Sequence, residues 1–254
     1  MSSDFFLGQT AAEWGTPLLP GTKTAWMACH FSPYGTGLSN LPRQMPKGSM
    51  LILNDRMPPA GHDPGLIARQ MADLVRNFSC SRILLDFQRP GEAQTEDIIK
   101  AILAESCCPV GVSHWYARGL ECSVLLPPLP LHTPLHSYLQ PWSDRSVWLE
   151  LAYACVRYTV TEKGCFQASC QAGGEFRHSD PGLYCHYRIE TGDDHITFTL
   201  CRTAEDIQHL LNAKEIDCFV GLYQEFSQAD AQATALAQCV NRPSRTSLEI
   251  SGAN

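Results

Sequence analysis

The chain has 254 residues, 44% of them hydrophobic, and a formal net charge of −7. That length suits a single α/β barrel domain, and the acidic balance speaks against nucleic acid, which asks for a basic face. No apolar run reaches the ~18 residues of a membrane span, and the start MSSDFFLGQTAAEWG lacks the basic and apolar regions of a signal peptide, so the expectation is a cytoplasmic protein without a membrane partner.

In chain order, residues 1–21 are rich in Pro and Gly and are expected to wrap the outside of the domain. Short runs rich in Val, Ile, Leu and aromatics follow at Lys23–Phe31, Met50–Asn54, Arg82–Phe87, Val110–Tyr116, Ser123–Leu126, Val147–Val160 and Cys218–Phe226. Bounded by Gly, Pro, Asn or Asp, they read as strands. Helices are expected between several of them. Asp63 and Pro64 open GLIARQMADLVRNF as N-cap and first helical residue. Thr95 is expected to cap EDIIKAILAES, and Thr203 to cap AEDIQHLLNA with Asp206 completing a near capping box. Gln228–Val240 reads as a last helix and 242–254 as a flexible tail.

Strand alternating with helix is the pattern of a parallel sheet. About eight strand runs, the pair Tyr184–Ile189 and Ile196–Cys201 included, favour a closed (β/α)₈ barrel of the TIM-like kind, filling 1–254 as one domain. It is irregular, because the connections near 32–48 and 127–145 carry abbreviated helices or none. One segment, residues 182–202, breaks the pattern. LYCHYRIETGDDHITFTLCR alternates polar and apolar residues around Thr191-Gly192-Asp193-Asp194, which predicts an antiparallel hairpin inserted before the last strand.

Twelve cysteines invite sharper readings. A disulfide framework belongs to short secreted chains, and a zinc site wants CxxC pairs, of which there is none. Cys29, Cys155, Cys185, Cys201 and Cys218 lie in apolar runs and read as buried thiols packing as small hydrophobes. No Gly-rich phosphate loop follows a strand, so no dinucleotide cofactor is expected. His30 and His114 lack the His-x-His pattern of barrel metallohydrolases, so no metal is expected either.

Strand alternation assigns the faces of Arg82–Phe87. Ile83, Leu85 and Phe87 face the helices, while Leu84, Asp86 and Gln88 face the barrel interior. That sets Asp86 and Gln88 at the carboxyl end, where barrel enzymes carry their sites. The structural alternative for Asp86 is an N-cap or a partner of Arg56, Arg89 or Arg118. In the last strand, Val220 and Leu222 are expected outward, with Gly221, Tyr223 and Glu225 inward. Polar residues at strand ends include His30, Asn54, Asp55, His114, Tyr116, Glu150, Arg202 and Glu225; His30, Asn54, His114, Tyr116, Glu150 and Tyr223 are the ligand-binding candidates. Asp86, Gln88 and Glu225 are the candidates for chemistry, and Trp115, Tyr116, Tyr138, Trp142 and Tyr223 are candidate stacking rings.

The hairpin, followed by Thr203-Ala204-Glu205-Asp206-Ile207 and Val220-Gly221-Leu222-Tyr223, resembles the closing third of the chitinase-like (family 18) glycoside hydrolases. MLILND, a helix, then SRILLDFQ resembles that family's third strand, helix and fourth strand. The family's fourth strand ends D-x-x-D-x-D-x-E, and the matching positions here are Ser81, Leu84, Asp86 and Gln88. The resemblance implies a carbohydrate ligand. In that family the final Glu protonates the leaving oxygen; an amide such as Gln88 has no such proton. The reading is therefore a glycosidase-like barrel that binds a carbohydrate or related small ligand without family-type catalysis. Two alternatives stand beside it: a hydrolase pairing Asp86 with Glu150 or Glu225, and a partner-binding scaffold whose mouth is plugged by its own loops.

Overall fold

The computed structural model describes residues 3–35, 37–89, 91, 93–170 and 176–228. Eight parallel strands close a barrel in chain order: β1 (Asp4–Gln9), β2 (Lys23–Phe31), β4 (Met50–Asn54), β5 (Arg82–Asp86), β6 (Val110–Ser113), β7 (Ser123–Leu126), β8 (Val147–Leu151) and β14 (Cys218–Leu222). β1 pairs with β14 on one side and β2 on the other, which closes the ring. The two-residue β3 (Leu38–Ser39) adds to β2 antiparallel. The irregular TIM-like barrel expected from the sequence is thus the architecture. One correction concerns its start: DFFLGQ does not wrap the outside but forms the first barrel strand. Phe6 and Leu7 are fully buried on opposite faces, so the segment lacks the alternation that marks a half-exposed strand.

The barrel has two apolar shells. Inside it, Phe6, Met50, Leu84, Leu125, Trp148 and Val220 pack together. Outside, Leu51, Leu53, Ile83, Leu85 and Phe219 pack under the helices. Trp148 fills the interior only because β6 offers Gly111 opposite it: a Cβ there would sit 2.2 Å from Trp148 Cε3. At the base, Asp4 accepts from Lys23 at 2.6 Å and from Arg82 at 2.9 Å. Burial works against the Asp4 carboxylate, but the two cationic bonds outweigh it and hold it below the usual range.

Two crossovers hold full helices, α1 (Pro64–Phe78) and α2 (Ala93–Glu105). α3 (Leu135–Leu139) and α4 (Ala204–Leu210) are abbreviated. Asp63 caps α1 through Gly65 and Leu66 N–H, and the Thr203–Asp206 capping box is complete in both directions. Thr95 does not cap α2: the helix begins at Ala93, and Thr95 is buried within its first turn. Residues 223–228 are helical after β14. The rest of the expected last helix and the expected tail at 242–254 lie outside the described residues.

The run Val147–Val160 divides into β8 and a separate strand, β9 (Cys155–Thr161), which leaves the barrel. β9 joins β10 (Gly164–Ser169), β11 (His178–Asp180), β12 (Cys185–Thr191) and β13 (His195–Cys201) in an antiparallel sheet ordered β10-β9-β13-β12-β11. The expected hairpin is β12–β13, but the insert is larger than 182–202 and occupies most of 155–201. Its root is tied to the barrel by Arg202, 2% exposed, which donates to the carbonyls of Leu129 and Tyr184. Of the five cysteines read as buried, Cys29, Cys185, Cys201 and Cys218 are so, while Cys155 is half-buried.

Candidate functional site at the barrel mouth

The carboxyl ends of the strands surround a cavity of about 820 Å³. Six of the nine candidate residues line it: His30, Asn54, Asp86, Gln88, Glu150 and Glu225. The strand pattern explains Asp86. Leu84, two residues earlier, points into the interior, and Asp86 extends the same face to the mouth. Glu150 follows Trp148 in the same way on β8.

Four carboxyls, Asp55, Asp86, Glu150 and Glu225, therefore share one partly buried cavity. Glu150 is pushed up to about 7, first by burial and then by the charge of Asp86. Asp86 is raised by burial and by Asp55, against a hydrogen bond from Gln88. Glu225 is raised by burial, against a bond accepted from Tyr153 N–H at 2.5 Å. Near neutral pH Glu150 is thus about half protonated, where an ordinary carboxyl would have released its proton. Among the described residues no hydrogen bond ties Glu150, so its carboxyl faces the cavity uncommitted. The same burial and Glu150's charge push the neighbouring Tyr138 phenol up to about 12; its OH donates to the Pro127 carbonyl.

Other candidates are fixed by the fold. Asn54 donates both amide hydrogens, to the carbonyls of Met27 and Cys29, and accepts from Arg56 N–H. Those carbonyls lie within and at the end of the irregularity between Trp26 and Cys29 where the register of β2 against β4 shifts, so Asn54 serves the backbone there. His30 Nδ1 meets the Phe31 carbonyl at 2.8 Å, and Nε2 meets the Asn40 amide at 3.0 Å. The carbonyl accepts and the amide donates, so the proton belongs on Nδ1. Asp86 bonds Gln88, not Arg56, Arg89 or Arg118.

Three candidates stand away from the cavity. Tyr116 is buried with its OH donating to the Arg89 carbonyl, and Tyr223 donates to the Pro17 carbonyl at 3.2 Å. His114 stacks at a tilt against Trp115, and partial burial lowers its basicity. The facing expected for the last strand is reversed. Val220 packs inside the barrel and Phe219 outside, because the strand enters with Cys218 inward; helical residues from 223 onward then break the alternation that was extended to Tyr223 and Glu225. Glu225 reaches the cavity from that helical turn. None of the five candidate stacking rings lines the cavity; Trp142 lines a second one of about 630 Å³ beside α3.

Two groups outside the nine candidates shape the site. Asp55, 6% exposed, accepts from Gln88 N–H at 3.0 Å and Arg89 N–H at 2.9 Å, and so clamps the loop after β5. Ser113 accepts from Phe87 N–H and donates to the Leu85 carbonyl, holding the end of that strand. Asp55 follows directly on Asn54 at a strand end, and that position was the available signal. Among the described residues no group of three or more His, Cys, Asp or Glu is placed to hold a metal ion, and no helix is long and apolar enough to cross a membrane.

No protein-family model matches the chain, and no curated protein matches it in sequence. The fold has a likeness among solved structures: the spore cortex-lytic enzyme SleL of Bacillus cereus, with a TM-score of 0.52 at 8% identity, over 89% of this chain and 72% of that one. At that identity the likeness concerns the fold, a barrel with the same general course.

Proposed function

We propose that the barrel mouth binds a small saccharide or related polyhydroxylated ligand, and that Asp86 and Glu150 are its working carboxyl pair. The observation that carries this reading is the pair itself: two inward carboxyls at the ends of β5 and β8, with Glu150 holding its proton to about pH 7 while Asp86 accepts a bond from Gln88. Environments that push two carboxyls apart in acidity suit one to donate a proton and the other to stay charged. The structural neighbour, by its name a cortex-lytic enzyme, supports a barrel of this class, as does the resemblance of the strand ending Asp86-Phe87-Gln88 to the chitinase-like family.

Chemistry of that family's type does not run through position 88, where an amide stands. Glu150 takes the place of the missing acid in this reading, with Glu225 as a third carboxyl held by Tyr153. Cleavage of a panel of aryl glycosides, followed by product analysis, tests it. Turnover abolished by Glu150→Gln supports it; turnover unchanged in both Glu150→Gln and Asp86→Asn overturns it. A ligand bound but not cleaved is the companion reading, favoured by the bond that engages Asp86 with Gln88.

The scaffold reading needs a plugged mouth, whereas the described residues leave a cavity of about 820 Å³ there. What favours a protein partner is elsewhere: Val160, Ile189 and Ile196 are 39–49% exposed, and the register sets them on one face of the antiparallel sheet. Concentration-dependent association lost in Ile189→Ser/Ile196→Ser would support that role.

A further inference from the structure

Three thiols meet at the root of the antiparallel sheet, at some remove from the carboxyl pair. Cys155 opens β9, and Cys170 directly follows Ser169, the last residue of β10. The register pairs Ser169 with Val156, so the next pair along is Cys170 with Cys155. Cys170 N–H donates to the Cys155 carbonyl at 3.0 Å, and the two Sγ atoms lie 2.7 Å apart. A disulfide bond measures about 2.05 Å, and unbonded sulfurs ordinarily stand well beyond the observed separation. On the other side of β9, Cys155 is directly opposite Cys201 of β13. Directly opposed residues share a sheet face, so Cys170, Cys155 and Cys201 form one row. Cys185 is excluded from it, because its neighbour His186 is the residue opposite Cys201.

The location gives the row a purpose. β10 is an edge strand whose six residues are all exposed, so no apolar burial holds it to the sheet. Two residues before Cys155, Tyr153 bonds the cavity carboxyl Glu225, and Leu151 lines the same cavity. A covalent link at this root would fix the strand pair where it leaves the barrel mouth.

We propose that Cys155 and Cys170 form a reversible disulfide when the protein meets a small-molecule disulfide such as oxidised glutathione. Burial raises the Cys155 thiol, with the neighbouring cysteines adding to the effect, so Cys155 is a poor first nucleophile. Cys170 attacks first: it releases its proton to solvent, its sulfur bonds to one sulfur of the oxidant, and one glutathione leaves as thiolate. The Cys155 sulfur then displaces the second glutathione from Cys170, its proton passing to the departing thiolate. The protein loses two hydrogen atoms and two electrons, and the oxidant becomes two thiols. Cys201 remains a thiol.

The test uses the full chain, incubated with oxidised glutathione, alkylated without reduction, digested and analysed by mass spectrometry. The expected product is a Cys155–Cys170 linked peptide pair, lighter than the two reduced peptides by two hydrogen atoms and released by reductant. The link is absent from Cys170→Ser and retained by Cys201→Ser. Hydrogen exchange of the β10 amides slows on oxidation, a readout that needs no variant to fold. Recovery of both cysteines alkylated, a Cys155–Cys201 link, or glutathione retained on Cys170 would overturn the assignment.

Discussion

The side-chain amide of Gln88 donates to Asp86 Oδ1, two residues back along the same strand end. That bond favours the charged form of Asp86, while burial and the nearby Asp55 oppose it. Gln88→Glu removes the donor and sets a second negative charge in its place, so Asp86 is expected to titrate higher than in the parent. Gln88 is exposed, so the change strands no buried group, and its cost in stability at neutral pH is the electrostatic one that accompanies the raised Asp86. Side-chain carboxyl titration by NMR checks the direction. A downward or absent shift would mean that the amide does not act on Asp86.

Glu150 links the site to pH. Its folded value of about 7 lies above the ordinary 4.5. The folded state therefore holds the proton more tightly than the unfolded one. Its favourable contribution is fully present below about 4.5 and is lost as pH rises to about 7. Glu150→Gln keeps the shape and never ionises. It should stabilise the protein relative to the parent by roughly 1–3 kcal/mol at pH 8 and by almost nothing at pH 4. Urea unfolding at the two pH values measures this; an equal effect at both would contradict a raised Glu150.

Gly111 and Trp148 share one volume inside the barrel. Gly111→Ala forces a methyl against the indole, whose ring is fully buried and has no room to give. Overpacking of this kind costs about 1–3 kcal/mol. Thermal unfolding should show a lower Tm with the parallel barrel intact below it, and an unchanged Tm would mean that the indole is not seated as described.

Arg202 carries the junction between sheet and barrel through the carbonyls of Leu129 and Tyr184. Arg202→Ala leaves the buried Leu129 carbonyl and the half-buried Tyr184 carbonyl without this donor and should cost roughly 2–4 kcal/mol. Limited proteolysis should then cut within 155–201 before the barrel is touched. Cleavage spread evenly over the chain would argue against a junction role.

Seven of the eight barrel strands are legible in the sequence, because each is a short apolar run between turn residues. β1 is not, because DFFLGQ lies close to the Pro- and Gly-rich stretch that follows it and is buried on both faces. Asp86 is legible from alternation with Leu84. Val220 is not, because the phase of a five-residue strand buried on both faces cannot be read from its residues, and extending the alternation past Leu222 ran into a helical turn. The β12–β13 hairpin is legible from its turn, whereas β10, with no apolar periodicity and no buried residue, carries no signal of its own. Glu150 is legible as a strand-end carboxyl, but its raised pKa comes first from burial and then from Asp86, 64 positions earlier, and neither leaves a local trace in sequence.

The most direct test of the central claim is calorimetric titration of the wild-type chain with a series of acetamido-sugar and plain saccharide oligomers, repeated on Asp86→Asn and Glu150→Gln. Saturable binding with a Kd of about 1 mM or tighter, weakened about tenfold or more in either variant, is the predicted result, a loss of ~1.4 kcal/mol or more for each carboxyl. No saturable heat from any saccharide at millimolar concentration, or equal binding by the parent and both variants, would contradict a carbohydrate site built on Asp86 and Glu150.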